Sequence, residues 1–318
     1  MDKIYVFSLI AAALLMLSGC SSGTESGKIK IVTTLFPLYE FAKEVGGDRV
    51  EVTLLLPPGV DAHSFEPKPQ DIITLNNADL FVYVGAGMEP WADDILAGLD
   101  NKDLSIIDAS SVSELISSSH DEHEENEHEE GHEDEEEHEH GEFDPHLWLD
   151  FTNDQKIVSK ISGALSDIDP SGKEYYSSNA ERYSSRLAIL DSIYISSLSK
   201  CNKSEIVTGG HNAFGYLAHR YNITIISVYG LSPNSEPSAQ KVKEITDTIR
   251  EHGIKYIFFE KMVNSRMAEM LAKETGASML ILNPGHNVAK DDIAKNVTFM
   301  WMMTNNLNDL VAGLECEN

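Results

Sequence analysis

The sequence is short of positive charge. Its 318 residues include 24 Lys and Arg against 52 Asp and Glu, so the formal net charge is −28 at pH 7. Residues 120–142 alone hold 14 of the acidic residues, which leaves 38 acidic against 24 basic residues elsewhere. Nucleic-acid binding depends on clustered Lys and Arg that neutralise phosphates, and this chain has no such cluster. Composition therefore argues against a nucleic-acid partner and favours cations as ligands.

The apolar run at the start of the chain is too short to span a membrane. It covers residues 4–17, whereas a spanning helix needs roughly 20 residues. A run of this length that ends in Leu17-Ser18-Gly19-Cys20 is typical of a signal peptide and resembles the lipobox of prokaryotic lipoproteins. We therefore predict a signal peptide over 1–19, a lipid on Cys20, a flexible tether over 20–27 and a location on the outer face of the cytoplasmic membrane. An ordinary signal peptide that ends in Cys is the alternative.

Cysteine is scarce as well. If Cys20 carries the lipid, only Cys201 and Cys316 are left. An even pair in an oxidising compartment predicts a disulfide, with two free thiols as the alternative.

The remaining pattern is a repeated alternation of strand-like and helix-like segments. In the first half, apolar and β-branched runs at 29–35, 50–56, 80–84 and 104–107 predict strands, and in the second half 206–208, 223–228, 256–259 and 279–282 do so. Between the halves, residues 172–199 lack interior Pro and Gly and predict one long helix. We expect an α/β protein of two lobes, at 28–170 and 200–318, each with a mainly parallel sheet flanked by helices. A rigid linker helix over 171–199 would join them.

Residues 120–142 have a composition unlike the rest of the chain. They combine high charge with almost no aliphatic side chains, which predicts a disordered insertion in the first lobe. The segment holds half of the twelve histidines, and we expect these six to bind metal weakly or to be an inert solvated loop: His120, His123, His128, His132, His138 and His140.

Three histidines outside that segment are the main candidates for a tight metal site. His63 and His211 each follow a predicted strand, at the sheet edge where parallel α/β folds bind ligands. His146 lies between Pro145 and Trp148, and Asp144 or Asp150 is placed to accept its second N–H. Three neutral imidazoles with a water or carboxylate as fourth ligand suit Zn²⁺.

The other three histidines are weaker candidates. His219 falls on the exposed side of a predicted helix, and His252 ends a helix where a positive ring is favoured, so both are interpreted as structural. His286 lies on a turn after the last predicted strand and remains open.

Four motifs in order along the chain resemble the metal-binding lipoproteins of zinc and manganese ABC importers, the cluster A-I substrate-binding proteins. The motifs are Gly59-Val-Asp-Ala-His-Ser-Phe-Glu-Pro67, Asp144-Pro-His-Leu-Trp-Leu-Asp150, His211-Asn-Ala-Phe-Gly-Tyr-Leu-Ala-His-Arg-Tyr221, and the pair Glu236-Pro-Ser238 with Phe258-Phe-Glu260. The resemblance implies two lobes with one metal ion in the cleft between them, held by His63, His146 and His211. It also implies an ABC permease and its ATPase as partners, in a monomer tied to the membrane by its lipid.

The zinc branch of that family is favoured over the manganese branch. Relatives that carry manganese tend to have a carboxylate where His211 stands, and the acidic His-rich insertion is similar to the zinc branch. Two departures leave the fourth ligand open: Asn283 stands where many relatives place an Asp, and Ala62 precedes His63 where a Glu can occur. The candidates are water, Asp61 and His286.

Other functions remain alternatives to zinc capture for an importer. One is a manganese or iron importer component, and another is a surface adhesin or metal buffer. A zinc hydrolase would need a general base, for which Glu66, Glu236 or Glu260 can be named, but no HExxH motif or nucleophile elbow is present. We therefore do not expect an enzyme.

Overall fold

The computed structural model describes residues 27–118, 143–231, 237–261 and 265–317. The predicted signal peptide, Cys20, all of the tether except Gly27, and the His-rich segment 120–142 lie outside these ranges.

The first lobe is built on a four-stranded parallel sheet with strand order β2-β1-β3-β4. Central strand β1 has all but one residue buried, because helices or loops cover both of its faces. Each strand of this lobe is followed by a helix or short turn, in this order: β1 Ile29–Thr33, α1 Phe36–Gly46, β2 Val50–Leu54, α2 Pro69–Asn76, β3 Leu80–Tyr83, α3 Ala92–Gly98 and β4 Ser105–Asp108.

Two long helices follow the first sheet, α4 Phe151–Ile168 and α5 Lys173–Leu198, and the second of them links the lobes. Helix α4 begins where the Asp150 carboxylate accepts a hydrogen bond from the Thr152 backbone N–H. Helix α5 confirms the predicted linker helix and buries one stripe of large side chains: Tyr176, Tyr183, Leu187, Leu190 and Tyr194. The sequence analysis did not identify α4.

The second lobe repeats the topology of the first, with parallel strand order β6-β5-β7-β8. Its elements are β5 Glu205–Thr208, α6 Gly215–Tyr221, β6 Thr224–Ser227, α7 Ala239–Glu251, β7 Tyr256–Phe259, α8 Arg266–Thr275, β8 Ser278–Ile281, α9 Lys290–Ala294 and α10 Phe299–Gly313. The predicted α/β class with two parallel sheets is confirmed. Within the described ranges, no helix is both long and apolar enough to cross a membrane.

The two lobes share one continuous hydrophobic core with the linker helix. The ring of Phe41 in α1 packs edge-on against Phe299 in α10, with centroids 5.4 Å apart. The Tyr194 hydroxyl of α5 donates to the Met303 carbonyl of α10. A linker packed into both lobes in this way is a stiff support, since bending it would expose core side chains.

Some predicted strands end two residues earlier in the structure. β1 ends at Thr33 and β2 at Leu54, where 35 and 56 were expected. Leu55 and Leu56 remain buried, and their N–H groups still bond to the carbonyls of Thr33 and Thr34. The apolar run therefore continues past the strand, into the loop that leads to the candidate site.

Cys201 and Cys316 form a disulfide, so the predicted bond is confirmed over the alternative of two free thiols. The bond joins Cys201, which lies just after α5, to the segment that follows α10. The two cysteines are 115 positions apart in the sequence, so the bond closes a long loop. It ties the C-terminal helix to the start of the second lobe.

Replacing both cysteines, Cys201→Ser with Cys316→Ser, should lower the free energy of unfolding by roughly 2–5 kcal/mol, because the unfolded chain regains the conformational freedom of a long loop. Chemical denaturation with and without reductant measures this. Reductant should destabilise the wild-type protein and leave the double variant unchanged, so equal stability of the two proteins under oxidising conditions would contradict a stabilising bond.

Candidate metal centre

The structure brings together the three histidines that the sequence analysis singled out. His63 lies in the loop after β2, His146 directly precedes a short 3₁₀ turn over Leu147–Leu149, and His211 follows β5. One ring nitrogen from each of the three lies within 4.8 Å of the others. The group joins both lobes, since two histidines belong to the first half of the chain and one to the second.

The spacing of these rings fits a tetrahedral ion. The ring centroids form a nearly equilateral triangle, with separations of 5.2, 5.3 and 5.2 Å. The Nε2 atoms of His146 and His211 are 3.3 Å apart. Two nitrogens bound to one tetrahedral Zn²⁺ at its usual bond length lie about 3.3–3.4 Å apart, so the pair already has the required spacing.

Two carboxylates orient these two rings in the same way. Asp144 Oδ1 lies 2.8 Å from His146 Nδ1 and accepts from the His146 backbone N–H at 2.9 Å. Glu260 Oε1 lies 2.7 Å from His211 Nδ1 and accepts from the His211 backbone N–H at 3.1 Å. A carboxylate at Nδ1 assigns the hydrogen of the neutral ring to that nitrogen, and it leaves the Nε2 lone pair directed into the site.

The sequence analysis named Asp144 and Asp150 as possible partners of His146, and the structure selects Asp144. Asp150 instead caps α4 and pairs with Arg220 at 3.3 Å. The role of Glu260 as the partner of His211 was missed, because the two residues are 49 positions apart and only the fold brings them together.

Two glycines make room for the carboxylates. A Cβ on Gly210 would collide with Glu260 Oε1, and one on Gly215 would collide with Asp144 Oδ2. Any larger residue at either position would push the carboxylate away from its histidine. These two glycines therefore belong to the site although they carry no side chain.

Helix α6 fixes the His146 segment relative to His211. The hydroxyl of Tyr216 donates to the Asp144 carbonyl at 2.9 Å. One turn later, Arg220 binds Asp191 of α5 through two nitrogens and also reaches Asp150. Because α6 starts four residues after His211, these contacts connect both histidine segments to the linker helix.

Burial keeps the imidazoles of His146 and His63 neutral. His146 and His211 are 0% and 1% exposed, and His63 is partly buried. Burial lowers the pKa of His146 well below its usual range; burial first, and then the proximity of His146 and His211, lowers the pKa of His63 to about 2. Neutral rings are the form that binds metal, and the buried Nε2 of His63 has no hydrogen-bond partner among the described residues.

The carboxyl group beside His146 is also perturbed. Burial raises the pKa of Asp144 to about 7, although its hydrogen bond from the His146 backbone acts in the opposite direction. A divalent cation beside His146 would favour the ionised form of this carboxyl group.

The remaining candidate residues differ in position. His219 is exposed, and His252 caps α7 with its Nδ1 2.7 Å from Glu205. Asp61 Oδ1 accepts from both the backbone N–H and the hydroxyl of Ser64, each at 3.0 Å. His286 is 7% exposed, and its ring lies 6.2 Å from that of His211.

Of the glutamates named for a hydrolase, the two that the structure describes are not free general bases beside the three histidines. Glu66 is exposed, Glu260 is bound to His211, and Glu236 lies outside the described residues.

Comparison with known proteins identifies the family. A model of the family described as "Zinc-uptake complex component A periplasmic" matches residues 31–313. The chain belongs to this family.

Individual members of this family are similar over nearly the whole chain. The high-affinity zinc uptake system protein ZnuA of Bacillus subtilis is 36% identical over 309 residues, which cover 95% of each protein. The zinc-binding lipoprotein AdcA of Streptococcus pneumoniae (TIGR4) is 37% identical over 306 residues, 95% of this chain but 60% of AdcA. The crystal structure of the Zn(II)-bound ZnuA-like domain of S. pneumoniae AdcA superposes with a TM-score of 0.75 at 34% identity, over 91% of this chain and 100% of that domain.

The substitution Glu260→Gln should weaken zinc binding by roughly 10–100-fold, since His211 loses the charged partner that orients it. Competition titration with a chromophoric chelator measures the affinity. Glu205→Gln is the matched control. Glu205 also lies 2.7 Å from a histidine Nδ1, but that histidine is the exposed His252, which is not one of the three converging histidines. Equal affinities of the two variants would contradict the orienting role.

Proposed function

We propose that this protein captures Zn²⁺ outside the cytoplasm and delivers it to the permease of an ABC importer. His63, His146 and His211 hold the ion in the cleft between the lobes. The observation that carries the proposal is the 3.3 Å separation of two buried Nε2 atoms, each on a ring held by a carboxylate. The zinc-uptake names of the relatives support it independently.

The donor set favours zinc over manganese. Neutral imidazole nitrogens suit Zn²⁺, whereas Mn²⁺ prefers carboxylate, carbonyl and water oxygens. The three converging groups are all imidazoles. The two carboxylates accept hydrogen bonds from the Nδ1 atoms of the rings, so they act on the ion only through the histidines.

Local charge also favours a divalent cation. Asp144 and Glu260 are 3% and 4% exposed, and Glu260 Oε2 has no hydrogen-bond partner within the described part of the chain. Buried carboxylates without a positive neighbour are costly, and a Zn²⁺ ion between the two histidines would offset that charge.

A carrier agrees better with this site than an enzyme does. Catalytic zinc needs an open position and a nearby general base. Glu260 is bound to His211 and Glu66 is exposed, so neither supports hydrolysis.

We place the mature protein on the outer face of the cytoplasmic membrane, anchored through a lipid on Cys20 after removal of residues 1–19. The tether 20–27 connects this anchor to a monomeric body with lobes at 28–170 and 200–318 and a linker at 171–199. The lipoprotein name of AdcA supports the anchor, and the family description supports a permease and its ATPase as partners.

The histidines of residues 120–142 are proposed to gather zinc weakly: His120, His123, His128, His132, His138 and His140. The many similar ligands of this charged segment can bind zinc in many weak, interchangeable ways, and they do not define one coordination geometry. This segment would raise the local zinc concentration without forming the tight site.

The variants His146→Ala and His211→Ala should each weaken zinc binding by at least about a hundredfold, since even loss of an orienting partner costs about 10–100-fold. Isothermal titration calorimetry measures the affinity and stoichiometry. His219→Ala is the control, because His219 is exposed on α6 and should leave the affinity unchanged. An intact tight site in the His146 or His211 variant would overturn the assignment.

Deleting residues 121–140 tests the His-rich segment separately. The tight site should keep its affinity and a stoichiometry of one, while additional weak binding disappears. In the full chain this weak binding should decline as pH falls through about 6.5, the usual histidine pKa. Loss of tight binding on deletion would place the site in the segment.

A further inference from the structure

A segment of the second lobe, residues 283–288, reaches across to the first lobe beside the candidate site. The Pro284 carbonyl accepts from Trp148 Nε1 at 2.7 Å, and the Trp148 ring packs edge-on against His146. The carbonyl of His286, two residues further along, accepts from the Phe36 backbone N–H at 3.1 Å. The segment is thus held against the surroundings of His146.

The same segment is also held to the loop that carries His63. The Asn287 side-chain amide donates to the carbonyls of Pro57 at 3.1 Å and Val60 at 2.6 Å. The backbone of His286 is therefore fixed between two of the three histidine segments.

Gly285 makes this placement possible. Its φ of +75° is unfavourable for other residues, and a Cβ there would press on Met303 at 3.1 Å and Phe299 at 3.3 Å. The tight turn at Gly285 directs the next residue, His286, towards the interior.

The imidazole of His286 is buried without a complete set of partners. It is 7% exposed, and its buried Nδ1 has no hydrogen-bond partner among the described residues. A buried polar atom without a partner is unfavourable and points to a ligand that would satisfy it. The ring of His286 lies against that of His211, with the two rings nearly perpendicular.

We propose that His286 supplies the fourth zinc ligand, so that the ion is held by four imidazoles. This inference rests on the proposed zinc site. His286 is not among the nitrogens that already converge within 4.8 Å, and its ring centroid lies 6.2 Å from that of His211, against 5.2 Å between His146 and His211. The ring turns towards the ion on binding while its backbone stays fixed.

The other two candidates for the fourth position fit less well. Asp61 Oδ1 is held by the Ser64 backbone and hydroxyl in its own turn. A water would complete the tetrahedron with an oxygen donor and would use His286 only as a hydrogen-bond partner. A fourth imidazole closes the position at which a zinc hydrolase would bind its water, and it makes the donor set entirely nitrogen, which favours zinc over manganese.

Zinc K-edge X-ray absorption of the wild-type protein, without residues 121–140 and loaded with one equivalent of zinc, tests this directly. Four imidazoles at about 2.0 Å are expected from the usual Zn–N distance. Three imidazoles with one oxygen ligand would overturn the inference, and this result would leave the three-histidine site intact.

Variants give an independent readout. In the same background, His286→Ala should weaken zinc binding by at least tenfold and lower the number of imidazoles by one, while His219→Ala changes neither. Thermal unfolding of the metal-free variants shows whether each one is folded. Unchanged affinity and spectrum in a folded His286→Ala variant would refute the role of His286, whereas zinc binding that survives His146→Ala would refute the proposed function itself.

The substitution His286→Glu separates ligation from packing. A carboxylate can still complete the coordination, so zinc affinity should exceed that of His286→Ala, and affinity for Mn²⁺ should rise because an oxygen donor has been added. Equal zinc and manganese affinities in the Ala and Glu variants would show that position 286 does not contact the ion.

Discussion

Two buried imidazole nitrogens approach each other closely where the two lobes meet, and the proposed function depends on this contact. His146 Nε2 and His211 Nε2 lie 3.3 Å apart, and the carboxylates at Nδ1 leave a lone pair on each. Two facing lone pairs repel unless a proton or a cation lies between them. Burial disfavours the protonated ring of His146, and a bound Zn²⁺ ion would relieve the repulsion.

Holding these nitrogens so close requires a rigid frame. The two histidines come from different lobes, and a small rotation between the lobes would separate them. The shared hydrophobic core, the packed linker helix and the Arg220 contacts to Asp191 and Asp150 oppose such a rotation. Stiffness at the linker is therefore part of the proposed binding site, since a preorganised site loses less free energy on binding.

The sequence alone was sufficient for the fold class and for the three converging histidines. Strand-like runs predicted both parallel sheets, and His63 and His211 were found because parallel sheets present ligands at the carboxyl ends of their strands. The lengths of β1 and β2 were overestimated, because an apolar run reports burial and does not show where strand pairing stops.

Contacts between distant parts of the chain were beyond such reasoning. The pairing of Glu260 with His211 depends on how β7 is placed beside β5, and no local pattern encodes it. The sequence does not mark Gly210 and Gly215 as part of the site, because their role depends on the carboxylates that pack against them in the fold. His286 stayed undecided for the same reason, because its burial and its place against the first lobe arise only from the fold.

We expect one zinc ion to lie between His63, His146 and His211. Anomalous scattering at the zinc edge, measured from crystals of the zinc-loaded protein without residues 121–140, tests it most directly. A single strong peak is expected at bonding distance, about 2.0–2.1 Å, from a ring nitrogen of each of these three histidines. A zinc-loaded crystal with no peak there, or with its main peak at another position, would contradict it.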